Sequence, residues 1–141
     1  MDWNELAQRV EALDKPDRET DVVIGVAIGW SHPSAPCSLT HLHERLGASL
    51  AELTRDANST QSILGQLPHY TASIDAAMSL VPANYAFGVG LGTNDADVEG
   101  WAWAGPDEGP YSFAKTPALA LSAAALRARA AMKGQTNAQK L

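Results

Sequence analysis

The chain has 141 residues, of which 45% are hydrophobic, with a single cysteine and a formal net charge of −6. That length suits one compact domain burying roughly 68% of the surface its unfolded chain would expose. The solitary Cys37 excludes an internal disulfide, and the acidic balance works against direct binding to nucleic-acid backbones.

Asp2, followed three residues later by Glu5, forms a capping-box-like start, and Leu6, Val10 and Leu13 continue at helical spacing, so a first helix is expected near 2–13. Pro16 sits where a second helix can begin, with Asp17 and Glu19 suited to its positive end. Val22, Val23, Val26 and Trp30 supply its apolar face, although the β-branched content of 22–30 leaves helix or buried strand open. This longest apolar run, Val22 to Trp30, is about half the ~20 residues needed to cross a bilayer. The N-terminus lacks a basic region leading into an apolar signal core, so the expected location is the cytoplasm, without membrane association.

Residues 31–36, with Pro33 and Pro36, read as a loop. Leu39, Leu42, Leu46, Leu50 and Leu53 recur at steps of three and four and predict one helix over about 39–55. Asp56 to Gln61 reads as a connection leading into a short helical turn around Ile63 and Leu64, which Pro68 ends. Thr71 or Ser73 can then cap a helix whose face is Ile74, Ala77, Met78 and Val81, with Pro82 as its stop.

Beyond it, Tyr85, Phe87, Val89 and Leu91 alternate with Ala86, Gly88, Gly90 and Gly92, the period of two of a strand with one bulky and one bare face. Thr93 to Asp97 makes a turn. Val98, Gly100, Ala102 and Ala104 alternate with Glu99, Trp101 and Trp103 in a second strand, and the Gly105 to Pro110 turn leads to Tyr111 and Phe113. The pattern predicts a three-stranded antiparallel meander. Thr116 as N-cap, Pro117 as first helical residue, a face of Leu119, Ala123, Leu126 and Ala130, and Gly134 as a stop define the last helix, leaving 135–141 as a frayed tail. The expected architecture is a single α+β domain over 1–134, with helices packed on the sheet through alanine-rich faces.

Two segments carry a resemblance. Tyr70-Thr-Ala-Ser-Ile-Asp-Ala-Ala-Met-Ser-Leu-Val-Pro82 and Thr116-Pro-Ala-Leu-Ala-Leu-Ser-Ala-Ala-Ala-Leu-Arg-Ala-Arg129, with Asp17-Arg-Glu-Thr-Asp21 upstream, resemble the small phage and prophage proteins described as phage alpha-beta-alpha sandwich domains. The resemblance spans most of the chain and implies the same α+β architecture and a phage or prophage setting, with no reaction attached. Residues 31–66, a polar loop and a leucine-rich helix, depart from it, which makes Leu42, Leu46 and Leu50 candidate partner-binding residues.

The candidates for chemistry are better explained structurally. Cys37, His41 and His43 do not make a metal site, because on a helix the two histidines point about 200° apart and no second pair completes a tetrahedron. His32 and His69 have no sequence partner that would make them general bases. Ser73 and Asp75 read as caps rather than as a nucleophile and its carboxylate. Asp95, Asp97 and Glu99 lack the ligand spacing of a calcium loop. No catalytic residue, cofactor or metal is therefore expected. The Gly88 to Gly92 run removes side chains from one strand face, where the C-terminal helix is expected to pack, with a flat ligand as the alternative. Trp101 and Trp103 share one face and are expected in the core, joined across strands by another aromatic, with an open face that stacks a nucleobase or anchors a protein partner as the alternative.

Two functions follow as expectations. In the first, the chain is a non-enzymatic phage accessory protein that binds a host protein or complex, as a counter-defence inhibitor of anti-CRISPR type, through its acidic surface at Asp95, Asp97 and Glu99 and through the leucine-rich insertion. In the alternative, it sequesters a nucleotide signal of host immunity, with Trp101, Trp103 or Tyr111 stacking the base, Arg127 or Arg129 meeting phosphate, and homo-oligomerisation building pockets between copies.

Overall fold

In the computed structural model the described residues are 2–92 and 99–139, with the backbone alone for 133–139. They form an α+β fold: six α-helices and a three-stranded antiparallel sheet of order β1-β2-β3. The chain divides into two compact units, one of residues 1–16 with 70–141 and the other of residues 17–69.

In the first unit, helix α1 (Trp3–Glu11) begins at Asp2, whose carboxylate accepts from the Glu5 amide at 2.8 Å. Leu6, Ala7 and Val10 form its buried stripe. Helix α5 (Ile74–Met78) is capped by Ser73, which accepts from the Ala76 amide at 3.3 Å. Its inward face is Ala77 with Leu80 beyond its end, while Ile74 and Met78, expected inside, are exposed. Five helical residues make little more than one turn, too short for a stripe at spacing four to stay against one neighbour.

Strands β1 (Ala86–Leu91), β2 (Gly100–Gly105) and β3 (Ser112–Ala114) make the expected meander, with Val89 opposite Ala102 and Trp101 opposite Phe113. Helix α6 (Pro117–Gln139) opens on Thr116, whose hydroxyl accepts from the Leu119 amide at 3.2 Å. It runs through Gly134, where a stop was expected; a glycine costs a helix only about 1 kcal/mol and need not end it. Alanine on most of its faces lets α6 lie against the sheet on one side and against α1 and α5 on the other. Leu119, Ala120, Leu121, Ala123, Ala124, Ala125 and Leu126 are all buried, so this helix is the core of the unit.

The second unit starts with α2 (Arg18–Ile28), which makes 22–28 helix rather than strand and leaves Trp30, expected on its face, beyond its Gly29 C-cap. The side chain of Asp17 caps it by accepting from the Thr20 amide at 3.0 Å, so the helix begins two residues after Pro16. Two tight approaches build its core: a Cβ on Gly25 would lie 2.7 Å from Leu39 Cδ1 and 2.9 Å from Leu67 Cδ1. The helix predicted over 39–55 is instead two, α3 (Leu39–Glu44) and α4 (Leu50–Ala57). Gly47 between them has φ +76°, and Ser49 caps α4 by accepting from the Glu52 amide at 3.1 Å while its hydroxyl donates to the Glu52 carboxylate at 3.2 Å. An N-cap within the leucine repeat, with a left-handed glycine before it, outweighs the periodicity, because the Ser49 hydroxyl satisfies the Glu52 amide at a new helix start. A 3-10 turn at Ile63–Gln66 follows, as the sequence predicts.

One side chain ties this unit together. Arg18 Nε donates to the Ala57 carbonyl at 3.2 Å, Nη1 to the Pro68 carbonyl at 3.2 Å and to Asp21 Oδ2 at 3.1 Å, and Nη2 to the carbonyls of Leu67 at 2.7 Å and Gly65 at 3.4 Å. The planar guanidinium thereby holds the end of α4 and the 3-10 turn to α2.

Candidate functional site

The small residues of β2 and the large ones point to opposite sides of the sheet, and α6 selects between them. Ala102, Ser112 and Ala114 are buried on the α6 side, and Gly100 meets the backbone of Thr116 and Pro117 there. The register places Trp101, Trp103 and Phe113 on the other side, with Gly88 opposite Trp103 and Gly90 opposite Trp101.

What covers the bare glycine face of β1 is therefore not α6, and the expected packing of the C-terminal helix there is corrected. The tryptophan rings of β2 lie across it: a Cβ would sit 2.9 Å from Trp103 Cε2 at Gly88 and 2.6 Å from Trp101 Cε2 at Gly90. Glycine on the neighbouring strand gives each indole a flat seat on backbone, and the ring in turn shields that strand's hydrogen bonds. The tryptophans are accordingly half-buried.

The aromatic row continues beyond β2. Trp101 meets Tyr111 edge-on, with ring centroids 5.8 Å apart and planes at 77°, and Tyr111 meets Phe113 at 6.2 Å. Tyr111 is 46% exposed and Phe113 48%, which is unusual for adjoining aromatics on one sheet. The Tyr111 hydroxyl donates to the Glu108 carboxylate, and that bond raises the phenol pKa above its ordinary 10.0. A raised folded-state pKa means that the bond contributes fully below the ordinary phenol range and is lost as pH rises through the folded value. Glu108→Gln is expected to bring one tyrosine ionisation down in a spectrophotometric titration near 295 nm; an unchanged titration curve would show that the carboxylate does not control this ring.

The remaining predicted residues are dispersed. Arg127 pairs with Glu11 of α1, and Arg129 donates through Nε to the Leu80 carbonyl at 2.8 Å while its guanidinium stacks 5.8 Å from the Trp3 ring. Burial lowers the Arg129 pKa, with Tyr70 acting in the opposite sense. Both arginines thus engage the α1 and α5 side of α6, with α6 and the sheet between them and the tryptophan rings. Asp95 and Asp97 lie outside the described residues; Glu99 is exposed, and its carbonyl accepts from the Gly92 amide at 3.0 Å to close the β1–β2 ladder. Leu46 is 64% exposed just past the end of α3, whereas Leu42 and Leu50 are half-buried, so the three leucines do not make one stripe.

The groups considered for chemistry have structural occupations. Ser34 N donates to His32 Nδ1 at 3.0 Å, so Nε2 carries the proton and donates to Gln66 Oε1 at 2.8 Å. Both ring nitrogens are thereby engaged by neighbouring groups of the same unit. His43 Nδ1 donates to the Ala48 carbonyl at 2.8 Å, and Ser73 is the α5 cap. Among the described residues, no group of three His, Cys, Asp or Glu side chains converges on a metal position, and no helix is long and apolar enough to cross a membrane.

No family model, curated protein or solved structure matches this chain. The open aromatic face is the site the geometry itself singles out. Phe113 belongs to it and was not among the sequence candidates, although the alternation Tyr111-Ser-Phe113 repeats Trp101-Ala-Trp103 and signals one shared face.

Proposed function

We propose that the chain is a non-enzymatic binding protein of a phage or prophage, and that it engages a host protein through the aromatic face of its sheet. The observation that carries this reading is the continuous row Trp101, Tyr111 and Phe113 on the side of the sheet away from α6, with two of its rings nearly half exposed. Rigid aromatics with few rotatable bonds are the side chains that most often anchor protein interfaces, and a sheet presents them without further ordering cost. Counter-defence is the purpose we attach to this binding, on the resemblance to phage proteins and the charge of −6.

The nucleotide-sequestering alternative has less support. A base stacked on Trp101 or Tyr111 would need its phosphate met from the same side, whereas Arg127 and Arg129 are committed to Glu11 and to the Leu80 carbonyl across α6.

The immobilised chain and a Tyr111→Ser/Phe113→Ser variant are to be compared in pull-downs from host lysate, with circular dichroism verifying the fold. Wild type is expected to retain a stoichiometric host protein, and the variant to retain roughly tenfold less or below, the loss of one or two aromatic hot spots. Equal retention by both, or a nucleotide released on denaturation in place of a protein, would overturn the assignment. Neutralising Asp95, Asp97 and Glu99 in the same assay at low and high salt measures the electrostatic share, and an unchanged retention would remove these acids from the interface.

A further inference from the structure

The second unit contains a half-open cleft of about 210 Å³. Its walls include Trp30, Cys37, Leu39, Leu42, Ile63 and Leu64, and none of its lining residues is an acid, lysine or arginine. The cleft is built rather than incidental. Helix α2 ends at Gly29 with φ +72°, which turns the chain so that the Trp30 amide donates to the Gly25 carbonyl at 2.9 Å and the Trp30 carbonyl accepts from the Leu39 amide at 2.8 Å. One wall, carrying Trp30, is thus pinned to both α2 and α3. The opposite wall is the 3-10 turn, and the His32 to Gln66 bond of 2.8 Å ties the 31–36 loop to it.

A preformed, mainly apolar cleft selects its occupant by size and charge. An engineered apolar cavity of about 150 Å³ admits benzene, so a somewhat larger one takes a bicyclic ring or a branched aliphatic of similar bulk. An ion entering these walls would lose hydration with no carboxylate, ammonium or guanidinium group to replace it. Ile63, 43% exposed at the mouth, is the apolar surface such an occupant would cover. We propose that this cleft is a binding site for a small, uncharged, mainly apolar molecule the size of a bicyclic aromatic. This is independent of the aromatic sheet face, which belongs to the other unit.

Cys37 is the single cysteine of the chain and lies in the wall, so its reaction with iodoacetamide reports occupancy directly. Indole and toluene are the probes, and indole-3-acetate is the charged counterpart with the same ring. Saturating indole is expected to slow Cys37 alkylation at least fivefold, indole-3-acetate to act at least tenfold more weakly, and Ile63→Glu, a change at a side chain already partly in water, to abolish the protection. The proposal is overturned if neither indole nor toluene slows alkylation up to its solubility limit. It is equally overturned if indole-3-acetate protects as well as indole, or if protection survives in Ile63→Glu.

Discussion

Replacing Arg18 by methionine is expected to destabilise the 17–69 unit by roughly 3–5 kcal/mol, the cost typical of breaking a buried ion pair from one side. The side chains of Arg18 and Asp21 are 10% and 2% exposed, so neither water nor salt can substitute for the contact. The loss extends beyond the pair, because the carbonyls of Ala57, Gly65, Leu67 and Pro68 all lose a donor that reaches them from a single planar group. Arg18→Lys keeps the charge but offers one nitrogen in place of a fork, and it is expected to recover less than half of the loss. Hydrogen exchange at the Val22, Ile24 and Leu53 amides, with urea unfolding alongside, measures both. An Arg18→Met protein within 1 kcal/mol of wild type would show that packing of Leu39 and Leu67 on Gly25 holds the unit without it.

The second large effect is expected at Gly100. A Cβ there would lie 2.5 Å from both the Pro117 nitrogen and the Thr116 oxygen, and these are backbone atoms at the start of α6. Neither can swing aside, so Gly100→Ala has to push β2 off the helix and open the contact around Ala102 and Ala114, costing about 3 kcal/mol, the upper part of the range for overpacking. Gly88→Ala is the informative comparison, since its obstacle is the Trp103 ring, a side chain at a partly exposed position, and about 1 kcal/mol is expected. Urea unfolding of the two variants separates these cases. Equal losses would show that the tryptophan ring is as fixed as the helix backbone, which would in turn make the aromatic face a rigid surface.

Much of the fold was legible because its signals are local. Asp2 with Glu5, Asp17 with Thr20, Ser73 with Ala76 and Thr116 with Leu119 are caps within one helical turn, and each is made as the residue pattern predicts or within two residues of it. The alternation through 86–91 and 100–105 is likewise a property of neighbouring residues, and it produced the meander. The errors arose where two local signals competed or where burial was inferred from hydrophobicity. The leucine repeat hid the N-cap at Ser49, and Ile74 and Met78 are apolar without being inside.

The candidate site was half legible. Trp101 and Trp103 on one face, with an aromatic joining them across strands, follow from the period of two, and Tyr111 is that aromatic. Which side of the sheet α6 would cover was not legible, because the glycines of β1 and the alanines of β2 both offer a bare surface to a helix rich in alanine. The register decided it: pairing sets Gly88 and Gly90 opposite the tryptophans, so the rings fill the glycine face and leave the alanine face to α6.

The sequence by itself therefore determined the meander and most of the helix starts, since each depends on residues a few positions apart. Only the tertiary structure decided that Arg18 unites five polar partners, that Arg127 and Arg129 face α1 and α5, and that the aromatic row is left open. The carbonyl contacts of Arg18 and the partners of Arg127 and Arg129 lie from 39 to 116 positions away in the chain, where periodicity carries no information and packing alone selects the neighbours.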